Sequence, residues 1–287
     1  STDYAELVHD ALGDRVRHWT TFNEPWCSAF LGYASGEHAP GRQAPQEAFA
    51  ALHHQHLAHG LAVSALRARG AETLGITLNL TNAVPRDPSD LADLDAARRI
   101  DVMFNRLFLD PLLLGRYPED VIGDLAEAGY AIPVVDGDLA AIAQPIDFLG
   151  VNHYHDDQVS GHQPEGGDAS TTASPHRKYA TAFPSAEAVA FVGRDLPRTA
   201  MGWEVHPPGL TTLLVRLGEE YGAALPPMYV TENGAAYDDV VTPDGRVHDA
   251  ERTAFIRDHI RAVGDAIQQG ADVRGYFVWS LLDNFEW

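Results

Sequence analysis

Two glutamates sit in matching surroundings. Glu24 closes His18-Trp19-Thr20-Thr21-Phe22-Asn23-Glu24-Pro25, a β-prone run stopped by proline. Glu232 lies in Met228-Tyr229-Val230-Thr231-Glu232-Asn233-Gly234, a short apolar run that follows Pro226-Pro227 and ends at a glycine able to turn sharply. Short apolar runs bounded by turn residues read as buried parallel strands. A carboxylate at the end of such a strand is costly to bury unless it has a partner or a task. One such glutamate would pass for a strand end turned to water. Two of them, from distant parts of the chain and each beside an asparagine, point to one site assembled at one end of a sheet. Facing carboxylates suit glycosidic bond cleavage, in which one donates a proton and the other serves as nucleophile or base.

The elements that must position them are legible as periodicities. Helices are predicted over 4–12, 45–69, 91–109, 118–128, 208–221 and from Asp249, a candidate N-cap, to Gly270. In the last of these Phe255, Ile256, Ile260, Val263 and Ile267 are expected on one core-facing side. Further strands are predicted over 74–80, 147–152 and 275–279. The Gly-, Pro- and aromatic-rich stretch 26–46, the Pro/Asp-rich stretch up to residue 90 and the long polar stretch 155–199 read as loops. His53, His56 and His59 recur at helical spacing; no carboxylate or cysteine completes a metal-ligand set, which favours a packed or solvated helix face. Five strands alternating with helices, without a hairpin signal, predict a parallel α/β architecture. The pattern alone leaves barrel and doubly wound sheet open, although no Gly-rich phosphate fingerprint follows any strand.

Composition narrows the function. The chain has 287 residues, 45% of them hydrophobic, enough for a substantial core; a complete barrel of eight βα units takes ~250 residues or more. A formal net charge of −21 argues against nucleic-acid or anionic-membrane partners. Lys178 is the single lysine. The single cysteine, Cys27, excludes an internal disulfide and reads as a small hydrophobe or a reactive thiol. With no apolar run of ~18 residues and no signal-like opening, a cytoplasmic setting is expected. The chain lacks an initiator Met and stops on Trp287, and so reads as a fragment.

Thr21-Phe22-Asn23-Glu24-Pro25 and Thr231-Glu232-Asn233-Gly234 resemble the two signatures of glycoside hydrolase family 1, the β-glucosidase family. Gly150-Val151-Asn152-His153-Tyr154 and Trp279-Ser280-Leu281-Leu282-Asp283-Asn284-Phe285-Glu286-Trp287 are similar to two more, so the resemblance covers the whole chain. It implies a partial (β/α)8 TIM barrel whose strands are equivalent to the family's fourth through eighth, with the first three strands and a C-terminal segment missing from one incomplete catalytic domain over 1–287. It implies Glu24 as general acid/base and Glu232 as nucleophile of a retaining reaction, without metal or cofactor. Asn23 would donate to the sugar 2-hydroxyl, and Tyr154, with Asn152 nearby, would hold the nucleophile. Trp279 would form a stacking floor, Glu286 and Trp287 would bind the outer hydroxyls, and Trp203 would line the leaving-group side or pack in the core. His153 stands where many members have Tyr. A Gln, a His-Trp pair and an Arg that the family draws from its first three strands have no counterpart here, so the isolated chain is expected to be inactive or poorly folded. The implied substrate is a small-molecule β-glucoside such as cellobiose or an aryl or alkyl glucoside. A β-galactosidase or β-fucosidase, or an inert or purely sugar-binding relative, are the alternatives.

Overall fold

The apolar runs between turn residues do become strands, because a parallel sheet flanked by helices buries both of its faces. A computed structural model describes residues 2–163, 180–282 and 284. In chain order its elements are α1 (Thr2–Leu12), β1 (His18–Asn23), α2 (Pro45–Ala68), β2 (Thr73–Asn79), β3 (Ala83–Pro85), α3 (Leu91–Asp101), α4 (Leu107–Leu113), α5 (Glu119–Glu127), α6 (Asp138–Ile142), β4 (Phe148–Asn152), β5 (Asp157–Ser160), β6 (Ala190–Val192), α7 (Pro207–Tyr221), β7 (Met228–Asn233), α8 (Ala250–Gln268) and β8 (Val273–Val278). The main sheet runs in the order β1-β2-β4-β7-β8, and every neighbouring pair is parallel. All five carboxyl ends therefore share one edge of the sheet, where the two glutamates were expected to meet.

Side-chain volume sets the spacing of the strands. β2 buries all five of its inner residues, and β4 is buried from end to end. A Cβ at Gly150 would stand 2.3 Å from Thr77 Oγ1, so only glycine lets β4 lie this close to β2. Outside the sheet, α2 begins with Pro45 at its first turn and buries Phe49, Leu52, Val63 and Leu66. Phe30, Phe49, Leu52, Ile76, Leu78, Phe108, Leu149, Leu213 and Val230 all belong to one apolar cluster linking helices and sheet.

Several expected loops are structured. Residues Cys27–Ser35 form a wide π-helix inside the stretch 26–46. The helix expected over 91–109 runs on to Leu113, interrupted by a π-helical turn at Val102–Arg106 that brings Asn105 onto Thr81, whose N–H and C=O it bonds at 3.1 and 2.6 Å. β3, β5 and β6 form a small second sheet with an antiparallel β5–β6 pair, in stretches read as loop with no hairpin signal. Strands of three or four residues are too short for a period-2 pattern to register. Residues 164–179, part of the expected long loop, lie outside the described residues.

Two expectations about α8 fail. Asp249 has φ 46° and its side chain pairs with Arg252 instead of capping the helix. The core-facing side is Phe255, His259, Ala262, Val263 and Ala266, whereas Ile260 and Ile267 are about half exposed. Among the described residues, the outer strands β1 and β8 each have a partner on one side only.

Candidate active site

Glu24 lies one residue beyond β1, and Pro25 ends the run because it has no N–H to give the ladder. The Glu24 N–H donates to Thr77 O at 3.0 Å. Its φ of 47° is the left-handed region that non-glycine residues rarely occupy. Backbone of this kind costs ~1–3 kcal/mol and persists where surrounding contacts over-determine it. Those contacts are visible on the side chain. Oε1 accepts from Asn152 Nδ2 at 2.8 Å, and Oε2 accepts from the Cys27 thiol at 3.3 Å.

Asn152, buried at the end of β4, joins the two halves of the site. The same Nδ2 donates to Asn23 Oδ1 at 3.1 Å, and Asn152 Oδ1 accepts from Thr231 Oγ1 at 2.7 Å. In register Asn152 stands between Asn79 of β2 and Glu232 of β7. Two residues on, Tyr154 donates its hydroxyl to Glu232 Oε2 at 2.6 Å. The Glu232 carbonyl accepts from the His153 N–H at 3.0 Å. Glu24 and Glu232 are thus both held from residues 152–154 of the strand between them, as charge-assisted acceptors.

The ground beneath these contacts is rigid. Asn233 is fully buried; it donates to His153 O at 2.7 Å and accepts from Tyr276 Oη at 2.6 Å. His153 is buried and donates Nδ1–H to Leu80 O at 3.0 Å, and burial lowers its pKa. Asp156 accepts from Asn82 and His206, both at 2.6 Å; burial opposes its charge, but His153, Asn82 and His206 outweigh that and its pKa falls. The Tyr154 ring rests 5.3 Å from that of Trp203, which also meets His155 at 5.2 Å. Trp203 is therefore half-buried against Tyr154 and His155 and is not part of the buried core.

Trp279 follows β8, with its N–H on Asn233 O at 3.1 Å and its side chain 42% exposed. A Cβ at Gly234 would sit 1.9 Å from Trp279 O, so glycine is required for β7 and β8 to end side by side here. Glu286 and Trp287 lie outside the described residues. The structure thus gathers Asn23, Glu24, Asn152, Tyr154 and Glu232, and sets Trp279 at the adjoining strand end. Thr231, Cys27 and Asn79 were missed as site residues. The signal for Asn79 was present, since β1, β2, β4 and β7 all end on asparagine, at Asn23, Asn79, Asn152 and Asn233.

The structure is thus a parallel α/β sheet with two glutamates tethered at the carboxyl ends of its strands. The model for glycosyl hydrolase family 1 matches residues 1–287. The chain belongs to that family, and its sheet is part of a (β/α)8 barrel, its five strands equivalent to the family's fourth through eighth. It is 45% identical to the bifunctional beta-D-glucosidase/beta-D-fucosidase of Bifidobacterium breve, over 99% of this chain and 60% of that protein. It is also 45% identical to thermostable beta-glucosidase B of Thermobispora bispora, over 99% and 54%. Among solved structures, the psychrophilic beta-glucosidase BglU of Micrococcus antarcticus superposes with a TM-score of 0.95 at 60% identity, covering all of this chain and 61% of that one. The family 1 β-glucosidase of Thermotoga maritima in complex with isofagomine lactam gives 0.85 at 39%, covering 100% and 59%. The chain spans about 60% of the length of these relatives.

Proposed function

We propose that this chain is the catalytic part of a retaining β-glucosidase that releases terminal β-D-glucosyl residues from cellobiose and from aryl or alkyl glucosides. The observation that carries this reading is the tethering of Glu24 and Glu232 from one short stretch, Asn152 to Tyr154. Glu232 attacks the anomeric carbon while Glu24 gives its proton to the leaving oxygen, forming a glycosyl ester on Glu232. Glu24, now ionised, takes a proton from water, which attacks the ester and frees the sugar. Direct attack requires the two carboxyls to stand ~5–5.5 Å apart. The Asn23 amide oxygen is occupied by Asn152, which leaves its NH2 to donate to the sugar 2-hydroxyl. The partly exposed indole of Trp279, at the adjoining strand end, is suited to stack on a pyranose face, and Glu286 and Trp287 complete the sugar site in this reading.

The similarity to a relative named as both glucosidase and fucosidase favours one extension, acceptance of β-D-fucosides at the same site. The test is to incubate the intact polypeptide with a 2-deoxy-2-fluoro-β-glucoside carrying a good leaving group and to map the label by peptide mass spectrometry. A covalent adduct on Glu232, absent in Glu232→Gln, is the expected outcome, and that variant should lose about a thousandfold or more in kcat. An inverting product with no adduct overturns the double displacement. Parallel kinetics on aryl β-glucoside and β-fucoside decide the sugar.

A further inference from the structure

Glu24 is held by a different donor on each oxygen. The Asn152 amide is locked by Thr231 Oγ1 on its carbonyl oxygen, so it turns only N–H toward Oε1 of Glu24. A proton on Oε1 would face that N–H directly, so the proton that Glu24 carries belongs on Oε2. Oε2 lies 3.3 Å from Cys27 Sγ, and the Cys27 N–H in turn donates to Glu24 O at 3.0 Å. On its other side the sulfur accepts from Asn79 Nδ2 at 3.8 Å. Asn79 ends β2, the strand between those that carry Glu24 and Asn152, so the thiol is steered from the sheet itself.

We propose that Cys27 is a positioning residue for the reaction, orienting Oε2 of Glu24, the oxygen that hands the proton to the leaving group and later takes one from water. The inference rests on the reading of Glu24 as acid/base. A thiol fits the task because it is a weak donor and a weak acceptor. It donates to Oε2 while Glu24 is ionised and accepts from the O–H once Glu24 is protonated, so neither state is locked.

Cys27 is the single cysteine of the chain, so alkylation reports on it directly. In the intact polypeptide, Glu24→Gln removes the carboxylate to which the Cys27 S–H donates and should raise the iodoacetamide alkylation rate at Cys27, followed by peptide mass spectrometry, by about fivefold. The two chains should react alike in denaturant. Equal rates in the folded chains would overturn the contact. In the intact polypeptide, Cys27→Val should cut kcat/KM about tenfold on an alkyl β-glucoside, whose departure needs the proton, and only about twofold on 2,4-dinitrophenyl β-glucoside. Cys27→Ser, which can both donate and accept, should restore most of the loss. An equal loss on both substrates, or no rescue by serine, would reduce Cys27 to packing. Failure of the underlying reading looks different: alkyl-glucoside turnover undiminished in Glu24→Gln would remove the acid/base assignment and the positioning role with it, leaving the alkylation result intact.

Discussion

The Tyr154 hydroxyl donates to Glu232 Oε2 at 2.6 Å, and in the proposed reaction this carboxylate is the one that attacks the anomeric carbon. A hydrogen bond to a charged acceptor contributes ~1.5–3 kcal/mol, and here it also fixes the rotamer of the attacking group. Tyr154→Phe should therefore lower kcat by about ten- to hundredfold. KM should change little, because the contact is made to the enzyme's own carboxylate and not to the sugar. Steady-state kinetics on an aryl β-glucoside checks the split; a rise in KM at unchanged kcat would place Tyr154 on the sugar instead. Asn152 is the more demanding position. Its amide serves Asn23, Glu24 and Thr231 together, so Asn152→Ala should cost more than Tyr154→Phe and leave Thr231 Oγ1 without its acceptor.

At the level of elements, α2 shows what a periodic pattern conveys and what it omits. Its histidine stripe was weighed as metal site against helix face, and the face reading holds in a specific form. Asp138 meets His53 Nε2 at 2.9 Å, His53 Nδ1 meets the Tyr117 hydroxyl at 3.0 Å, and the same hydroxyl meets His56 Nδ1 at 3.1 Å. His59 Nδ1 meets Thr21 Oγ1 at 2.7 Å and ties the helix to β1. Burial, reinforced by the neighbouring His59 and His53, holds His56 at a pKa of about 3, and burial holds His59 at about 4. In the unfolded chain both protonate near 6.5. These folded-state values are depressed, so the stability they support is complete above pH 6.5 and is lost as pH falls toward 4. At pH 5 each costs about 2 kcal/mol, and His56→Asn, which cannot titrate, should flatten the fall by that amount. Urea unfolding at pH 7.5 and 5.0 reads this directly, and a parallel drop in wild type and variant would clear His56. The histidine spacing was plain in the sequence, whereas Tyr117 and Asp138, far along the chain, were not. The same holds for the site. Both glutamates and their flanking asparagines were legible from strand-ending runs, because a polar residue closing an apolar run is a local signal, whereas Asn152 and Tyr154 were implied by the family resemblance. The Cys27–Glu24 contact, the three-stranded second sheet and the exposure of Ile260 depend on which surface meets which, and no local period encodes that.

Across the whole molecule, the five parallel strands β1-β2-β4-β7-β8 gather the candidate site but end on β1 and β8, each bonded on one side. Phe277 and Val278 at the end of β8, and Trp279 just after it, are each 39–56% exposed to solvent. Unpaired edges of this kind recruit other strands, and a net charge of −21 opposes self-association only while salt is low. The 287 residues expressed alone should therefore self-associate as ionic strength rises and should bind a dye specific for exposed apolar surface. They should not turn over aryl β-glucoside, since closing an eight-stranded barrel takes three more strands. Supplying those strands should reverse all three effects. Co-expression with the part of the Bifidobacterium breve relative that this chain does not match should yield a soluble 1:1 complex that cleaves the substrate, with loss of activity on Glu232→Gln. Light scattering, dye fluorescence and turnover, followed with and without the second polypeptide, distinguish the outcomes. A monodisperse lone chain that unfolds cooperatively and cleaves the glucoside would mean that five strands close the site by themselves, and the edge argument would fall.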